Sequence, residues 1–454
     1  MANIAVMLKQ LGKSVNGIDI AEEFITDASL QDNSIPFTTN FSDLACLNGY
    51  EVFVYSAAHG GQDNPLAEAA RKKGMVLVSQ PQLVGEIFAR FSQSIAVSGC
   101  HGKTTTSSLL AWSLTKLSEN PSYLIGAPPF EGGGGGKMTD SDFFVVEADE
   151  YGVHPPNDKT PKLLFLHPTY SLCMNIDFDH PDVYTSLEET KKTFVQFFSQ
   201  SKNLMLCADD PVIRSLLPQL SNAKTYGTTV DCTYQIINST ANENGTSFEL
   251  KKEGISQGKF SSLLFGEKNI LNCAGVVALL IELGNNADDI RHAVSEFSGA
   301  KRRMETVWTD KTSYIIDDYG HHPAEIRATI SALRSRFSEK KLHILFQPHT
   351  FSRTEELKDA FVTELSEADN VYLLPIFASA RENASQFHIT SDKLVQIAKH
   401  AGKDSFTSFN NKAELLAHLQ EKWQAGDIVI TLGAGDIYKL KDDIIRLIEF
   451  AKSK

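Results

Sequence analysis

The sequence predicts an α/β protein built on parallel sheets. Strand-length apolar runs alternate with helix-length segments along most of the 454 residues, and repeated βα units are typical of parallel sheets covered by helices. Several of these runs end in polar residues, at the position where open α/β sheets bind ligands. Since the chain is too long for a single hydrophobic core, we expect two or three domains.

Composition and charge exclude several classes of protein. Hydrophobic residues make up 42% of the chain and charged residues 22%, which is typical of globular proteins. The net charge of −13 argues against a general binder of nucleic acids or anionic membranes. The six cysteines are scattered without a C-x-x-C pair, which favours reduced thiols over disulfides or zinc. Neither a membrane span nor a signal peptide is evident, so we expect a cytoplasmic protein.

Residues 1–93 form the first predicted domain. Strands at 14–20, 51–58 and 74–79 alternate with helical patterns. Asp19 lies near the end of the first of these strands, where doubly wound domains often place an acid against a ribose hydroxyl. A solvated aspartate in a turn explains this position equally well.

Residues 94–302 form the second predicted domain, which opens with "IAVSGCHGKTTT" at 95–106. An apolar strand, a glycine turn and Lys103 at the start of a helical pattern predict a cradle for nucleotide phosphates, because free N–H groups at a helix start attract anionic oxygens. The lysine would neutralise phosphate charge, and the next threonine hydroxyl can bind Mg²⁺. The loop is shorter than the standard one, since Val97 stands where that pattern has glycine, and an ordinary glycine turn is the alternative. The predicted nucleotide-binding residues of this loop are Gly99, Cys100, His101, Gly102, Lys103, Thr104 and Thr105.

Two further strands of this domain end in acids. Glu147 lies in the strand "DFFVVEADE", and an acid that leaves a parallel strand beside a phosphate loop is well placed to bind Mg²⁺. His180 lies among three aspartates in "NIDFDHPD" (175–182), where it can ligate a second divalent ion or orient an acid that does. Surface acids and a structural histidine are the alternatives.

Polar residues also lie near the end of this domain. Asn269 and Asn272 are three positions apart on one face of a starting helix. They could contact an adenine edge, although helix capping explains Asn269 equally well. Lys301, Arg302 and Arg303 form a basic run that either closes a nucleotide site or is a solvated charge run.

Residues 303–454 form the third predicted domain, again with alternating strands and helices. One helix is opened by Pro323, since proline is favourable in the first turn. The stretches "DDYGHHP" (317–323) and "FQPHTFSR" (346–353) both follow apolar strands. Each combines histidine with other polar groups, and Arg353 could hold a carboxylate by a bidentate contact.

Taken in order, these motifs resemble the Mur ligase family, the ATP-dependent amide-forming enzymes of peptidoglycan precursor synthesis. The ordered set is "GCHGKTTT", "EADE", "NIDFDHPD", "NILN", "RRME", "DDYGHHP", "FQPHTFSR" and "GAG". The resemblance implies a Rossmann-like UDP-binding domain (1–93), a P-loop ATPase domain (94–302) and a Rossmann-like amino-acid-binding domain (303–454). "DDYGHHP" and "FQPHTFSR" are most similar to the branch that joins L-alanine to UDP-N-acetylmuramate.

The resemblance also implies a reaction and roles for single residues. The lactyl carboxylate of UDP-N-acetylmuramate would attack the γ-phosphate of ATP, and L-alanine would then displace phosphate from the acyl phosphate. Lys103 would neutralise the ATP phosphates, Thr104 and Glu147 would bind one Mg²⁺, and His180 would belong to a second metal site; Lys103, Glu147 and His180 form the implied catalytic set. Further implied contacts are Asn272, Arg303 and Asp318 with ATP, and Asp19, Tyr319, His321, His349 and Arg353 with the substrates.

The start of the chain departs from the family pattern. The family normally begins with a strand and a Gly-rich turn for the uridine diphosphate, whereas "MANIAVMLKQLG" opens on a predicted helix. We therefore expect the first domain to lack its first strand and Gly-rich turn, and we expect that the start codon was assigned too far downstream. Two alternatives stay open: a ligase that attaches a recycled peptide to UDP-N-acetylmuramate, and a non-catalytic nucleotide-binding relic. We expect a monomer or homodimer.

Overall fold

A computed structural model describes residues 1–20, 27–127, 134–180, 182–242, 245–378, 382 and 384–452. The chain divides into two compact units. The first unit comprises Met1–Thr240, Ser247–Leu263 and Asn269–Ala300, and the second comprises Ala241–Thr246, Leu264–Lys268 and Lys301–Lys454. Both units contain helices packed on sheets, so the predicted α/β class is confirmed. The first unit includes the first predicted domain and most of the second, and the boundary between those domains stays a prediction.

The first 93 residues carry short strands between helices. The helices are α1 (Ala2–Gln10), α2 (Asp27–Asp32), α3 (Pro65–Lys72) and α4 (Gln80–Phe88), and the strands are β1 (Gly17–Ile18), β2 (Phe37–Thr38), β3 (Val52–Tyr55) and β4 (Val76–Ser79). Strands β1 and β2 pair in parallel, and so do β3 and β4, as two separate sheets. The sequence did not predict α2 and β2, because elements this short leave little periodic signal.

The main sheet of the first unit has the strand order β16-β15-β14-β13-β12-β11-β5-β8-β6-β7. Its strands are β5 (Gln93–Ser98), β6 (Ser122–Leu124), β7 (Gly136–Lys137), β8 (Phe143–Ala148), β11 (Tyr170–Cys173), β12 (Asn203–Cys207), β13 (Ala223–Gly227), β14 (Tyr234–Asn242), β15 (Gly245–Lys252) and β16 (Ile255–Ser262), and a separate antiparallel pair is formed by β9 (Gly152–His154) and β10 (Asp158–Pro161). The helices are α5 (Lys103–Lys116), α6 (Leu187–Ser199), α7 (Pro211–Leu216), α8 (Glu267–Glu282) and α9 (Ala287–Ser295).

Strand β5 lies between β8 and β11 and pairs in parallel with both. Ile95, Ala96 and Val97 are completely buried, because a central parallel strand is covered on both faces and is therefore apolar along its length. The carboxyl ends of β5, β8 and β11 meet at one edge of the sheet. The phosphate loop and both acidic motifs follow these three strands.

Helix α5 is buried although its first half is rich in serine and threonine. Thr106, Ser107 and Ser108 are completely buried, and their small side chains let the helix approach its neighbours closely. The Ser107 hydroxyl donates to Lys103 O (2.8 Å) within the helix. At the other end, Trp112 Nε1 donates to Ala293 O (2.8 Å), so α9 covers this helix.

Helix α1 packs on the edge of the same sheet. The Asn3 side chain donates to Ile125 O (3.0 Å), and Met138 N donates to the Gln10 side chain (2.7 Å). A Cβ at Gly136 would lie 2.3 Å from Asn3 O, so β7 approaches this helix more closely than any side chain permits. The first helix is thus part of the core architecture of the first unit.

The second unit is built on a sheet with the order β17-β18-β22-β19-β20-β21. Only β17 runs antiparallel to its neighbour among these described strands. The strands are β17 (Glu305–Thr309), β18 (Tyr314–Asp318), β19 (Leu342–Phe346), β20 (Asn370–Leu373), β21 (Phe406–Ser408) and β22 (Ile428–Leu432), and the helices are α10 (Pro323–Arg336), α11 (Phe351–Glu356), α12 (Lys358–Leu365), α13 (Ser391–His400), α14 (Lys412–Lys422) and α15 (Lys441–Lys452).

Each face of this sheet has its own hydrophobic core. Ile316, Ile344 and Ile430 point to one core, whereas their neighbours Ile315 and Leu345 point to the other, because side chains alternate along a strand. Helix α10 begins at Pro323 as predicted. No helix in the described parts of the chain is both long and apolar enough to cross a bilayer.

Candidate functional site

The phosphate loop joins β5 to α5 through two glycines with positive φ. Gly99 has φ +135° and Gly102, the N-cap of α5, has φ +86°, a region that side chains disfavour. A Cβ at Gly99 would lie 3.1 Å from Asn175 O, and one at Gly102 would lie 3.2 Å from the Asn272 side-chain amide. The loop is thus enclosed by the segment after β11 and by the start of α8.

Two reciprocal contacts fasten the loop to the segment after β11. His101 N donates to Asn175 Oδ1 (2.9 Å), and Asn175 Nδ2 donates back to His101 O (2.8 Å). The Cys100 thiol donates to Asp177 O (3.2 Å) and accepts from Asp177 N (3.1 Å). We call Cys100, His101, Asn175 and Asp177 the loop clamp. It ties the phosphate loop to the segment that carries His180.

Lys103 and Glu150 form a buried ion pair at the start of α5. The distance from Lys103 Nζ to Glu150 Oε2 is 2.6 Å, and the side chains are 14% and 1% exposed. Burial lowers the pKa of Lys103, but the carboxylates of Glu150 and Asp149 outweigh it and raise that pKa above its usual value. Burial in turn raises the pKa of Glu150, and Lys103 and His180 outweigh it and lower that pKa. Both groups are therefore charged.

Asp149, Glu150 and His180 converge beside this ion pair. One ligand atom from each lies within 4.8 Å of the others. In the described part of the chain, Glu150 Oε1 has no hydrogen-bond partner although it is buried, and its neighbour His180 Nε2 is 3.5 Å away. Two carboxylates and an imidazole are a donor set that divalent cations accept, so these three residues fit a metal ion. Asp149 also pairs with Lys162 (2.8 Å).

Glu147 has different neighbours from Glu150. Its Oε1 accepts from Gly126 N (2.8 Å) and from the Ser107 hydroxyl (3.5 Å). Glu147 was predicted from the sequence as a metal ligand, whereas Asp149 and Glu150 were not. The structure groups Asp149 and Glu150 with His180, and the metal roles of Glu147 and of the buried Thr104 stay predictions.

Two other predicted residues of the first unit lie at strand or helix ends. Asn272 lies against Gly102 and donates to the Asn269 side chain (2.9 Å). Asp19 follows β1 and lies 3.7 Å from His59 Nε2, a neighbour that sequence analysis missed. The histidine stands in "AAHGG" after β3, and no periodicity singles it out.

In the second unit, Asp318 ends β18 in a buried pocket of donors. It accepts from Met304 N (2.8 Å), Gly320 N (2.8 Å) and the Thr329 hydroxyl (3.3 Å). Burial raises the pKa of Asp318 to about 6, although the Arg303 guanidinium works in the opposite direction. The carboxyl group therefore releases its proton at a higher pH than an ordinary aspartate does.

Three predicted residues of this unit form an aromatic row together with Phe377, and a fourth predicted residue, Arg303, lies beside it. The Arg303 guanidinium lies 4.8 Å from the centre of the Tyr319 ring. Tyr319 meets His321 edge to face at 5.3 Å, and His321 meets His349 at 6.2 Å. Phe377 stacks on His349 at 5.7 Å. We call Tyr319, His321, His349 and Phe377 the aromatic row.

Arg302, which the sequence placed only within a basic run, is a neighbour of the row. Arg302 lies between the rings of Tyr319 (4.9 Å) and Tyr438 (4.3 Å) and donates to Gly433 O (2.7 Å). The predicted Arg353 lies in the first turn of α11, and Glu382 caps this helix by accepting from Phe351 N (2.6 Å). The pairing of Arg302 with two tyrosines needs three separate segments, so no local motif reveals it.

Three family models match consecutive parts of the chain. "Mur ligase family, catalytic domain" matches residues 1–92, "Mur ligase middle domain" matches 97–280, and "Mur ligase, glutamate ligase domain" matches 302–435. Together these matches span nearly the whole sequence.

Curated relatives match over nearly their full length. The chain is 37% identical over 450 residues to a UDP-N-acetylmuramate–L-alanine ligase of Lactobacillus acidophilus, covering 99% of this chain and 96% of that protein. It is 32% identical over 437 residues to a protein of the same name from Desulfitobacterium hafniense, covering 96% and 94%.

Solved structures share the fold. A UDP-N-acetylmuramate-alanine ligase of Thermotoga maritima superposes with a TM-score of 0.78 at 24% identity, covering 100% of this chain and 97% of that chain. A murein peptide ligase of Psychrobacter arcticus gives 0.72 at 19% identity, covering 99% and 96%. These two structural similarities support the assignment of the fold and nothing further.

We expect Asn175→Ala to weaken nucleotide binding without unfolding the protein. The substitution removes both hydrogen bonds between Asn175 and His101 but leaves Cys100 and Asp177 in place. We expect the binding free energy of ATP to weaken by about 1 to 2 kcal/mol. This change corresponds to a roughly tenfold higher dissociation constant, which calorimetry measures. Asn222→Ala is the matched control, because Asn222 also donates to two backbone carbonyls. Equal affinities in the two variants would contradict the role of the clamp.

We expect Asp318→Asn to remove a pH dependence of stability. The carboxyl pKa is higher in the folded state (about 6) than its usual 3.8, so the folded state binds the proton more tightly. The free energy of unfolding therefore falls as pH rises between these values, by up to about 3 kcal/mol. Chemical denaturation of wild type and D318N at several pH values measures this difference. The exposed Asp404 provides the control variant D404N, which should track wild type.

Proposed function

The chain belongs to the Mur ligase family, and we propose that it is an ATP-dependent ligase that joins L-alanine to the lactyl carboxylate of UDP-N-acetylmuramate. Membership confirms the resemblance drawn from the ordered motifs. The observation that carries the proposal is the phosphate loop with Lys103 next to Asp149, Glu150 and His180. It combines positive charge for phosphates with a donor set for a divalent cation.

A carboxylate needs activation before an amine can attack it. In the proposed first step, a lactyl carboxylate oxygen bonds to the γ-phosphorus of ATP, the bond to the β-phosphate oxygen breaks, and ADP leaves. Lys103 and the N–H groups at the start of α5 would hold the phosphate oxygens. The buried ion pair keeps Lys103 charged and in place, which provides preorganised positive charge for the transferring group.

We propose that Thr104 and Glu147 hold one Mg²⁺ and that Asp149, Glu150 and His180 hold a second one. A bound Mg²⁺ would neutralise charge on the phosphoryl group that is transferred. The supporting observation is the buried Glu150 Oε1, which makes no hydrogen bond to any described residue and lies beside His180. This oxygen is therefore suited to bind a metal ion.

In the second step, the amine of L-alanine bonds to the acyl carbon, the acyl carbon–oxygen bond breaks, and phosphate leaves. We assign Arg353 to the carboxylate of L-alanine, since guanidinium binds carboxylates through two parallel hydrogen bonds. Tyr319, His321 and His349 line the acceptor side, and Arg303 and Asp318 contact the nucleotide together with Asn272. Asp19 contacts the UDP substrate.

We also propose a division into domains, a location and an oligomeric state. The proposed domains are 1–93 for the UDP substrate, 94–302 for ATP and 303–454 for the amino acid. The protein would act in the cytoplasm as a monomer or homodimer, and its six cysteines, all free, suit a reducing compartment.

A peptide-attaching ligase is the second candidate, because the murein peptide ligase named above has a similar fold. The two activities differ only in the acceptor, which is free L-alanine in one case and a preformed peptide in the other. A non-catalytic nucleotide-binding protein would bind ATP without forming either product.

In the presence of Mg²⁺, we expect purified protein to release phosphate from ATP only when UDP-N-acetylmuramate and L-alanine are both present. Lys103→Ala should lower this rate by on the order of 10²- to 10³-fold, because it removes charge stabilisation of the transferred group. Lys116→Ala is the control, since Lys116 ends the same helix in an exposed ion pair with Glu296. Mass spectrometry should show the alanyl product.

Other outcomes separate the alternatives. Phosphate release that responds to an L-alanine-headed peptide but not to L-alanine would favour the peptide ligase. ATP binding without release in any mixture would favour the nucleotide-binding relic.

A further inference from the structure

Amide formation requires a proton acceptor that the proposed roles do not provide. L-Alanine is an ammonium ion at neutral pH and has no lone pair with which to attack an acyl carbon. One proton must leave before attack, and a positioned side chain accelerates such transfers by 10²- to 10⁴-fold. The acceptor must lie on the side of the site that binds the amino acid.

The two ring nitrogens of His321, a member of the aromatic row, have different surroundings. Its Nδ1 lies 3.2 Å from Tyr319 O and 3.3 Å from Glu325 Oε2. A carbonyl and a carboxylate can only accept hydrogen bonds, so Nδ1 carries the proton of the neutral ring. The lone pair is then on Nε2, which makes Nε2 the basic atom.

Glu325 is itself fixed in place. Its Oε2 accepts from His321 N (3.0 Å) and from His322 N (3.2 Å), and it lies in the first turn of α10, where a negative charge is favoured. The carboxylate therefore orients the His321 ring and stabilises the positive charge that forms when Nε2 takes a proton. A carboxylate behind Nδ1 has this function in other histidine bases.

The groups that face His321 come from several elements. Glu325 and His322 lie on its own segment, and Asp318 ends the strand before it. His349 faces it from the segment after β19 (6.2 Å). Arg302 and Arg303 face Tyr319, the next ring in the row. The side chain of His321 is 18% exposed, so a small ligand can reach it.

We propose that His321, oriented by Glu325, is the general base that accepts a proton from the ammonium group of L-alanine. Nε2 takes one proton, and the freed nitrogen lone pair bonds to the acyl carbon. The acyl carbon–oxygen bond breaks, and phosphate leaves with the second amine proton. The imidazolium then returns its proton to solvent. This inference rests on the proposed function.

The test compares two acceptors that differ in their need for a base. L-Alanine must lose a proton before attack, whereas hydroxylamine is largely unprotonated at neutral pH and traps an acyl phosphate as a hydroxamate. We expect His321→Asn to lower turnover with L-alanine by 10²- to 10⁴-fold and turnover with hydroxylamine by less than about threefold. The L-alanine rate of H321N should rise steadily with pH, whereas that of wild type levels off.

Two further variants check the assignment. Glu325→Gln keeps an acceptor for both backbone N–H groups but removes the negative charge, so the pH profile of kcat/KM for L-alanine should move to lower pH. His322→Asn is the matched control, because asparagine can replace the histidine that caps α10, and it should behave as wild type with both acceptors.

Three results would overturn the inference. They are equal losses with both acceptors in H321N, near-wild-type turnover with L-alanine in H321N, and a loss in H322N like that of H321N. An E325Q profile identical to that of wild type would overturn the role of Glu325. If wild type itself shows no alanine-dependent turnover, the proposed function fails instead, so the two failures are distinguishable.

Discussion

A buried lysine at the start of α5 determines much of the first unit. Its ammonium group is enclosed, and a charge removed from water must be paired with an opposite charge. Glu150 provides that charge at 2.6 Å, and it is in turn held by the Tyr184 hydroxyl, which donates to Glu150 O (2.6 Å). The resulting cluster extends to His180 and Asp149. Removing either partner of the pair would leave the other charge buried alone.

This ion pair also explains why the sequence predicted the loop but not the acid. "GKTT" after an apolar strand is a local pattern, and it predicted a glycine turn followed by a helix that begins at Lys103. Glu150 lies two residues beyond β8, where the strand period of two no longer fixes the direction of a side chain. Glu147 is still inside the strand, and it faces Gly126 instead. Only the fold decides which of the two approaches Lys103.

The second unit shows the same division between local and non-local information. Pro323 predicted the start of α10, because proline in the first turn is a local signal, and the structure adds a capping box between His322 and Glu325. The aromatic row, in contrast, joins residues from after β18, after β19 and after β20. Tyr319, His321 and His349 could be listed from the sequence as polar residues near strand ends, whereas Phe377 could not. Their order depends on the parallel pairing of β18 with β22 and of β22 with β19, whereas Glu325 lies only four positions after His321 along the chain.

The packing of α9 on α5 has a consequence for how the chain folds. Trp112 and Ala293 are 181 positions apart, and Asn272 reaches Gly102 from a similar distance along the chain. Contacts of such high sequence separation form only after the intervening chain has been synthesised and its loop-closure entropy overcome. The phosphate loop therefore leaves the ribosome early but is completed late. Nucleotide can stabilise the native state by mass action only once α8 and α9 have been added.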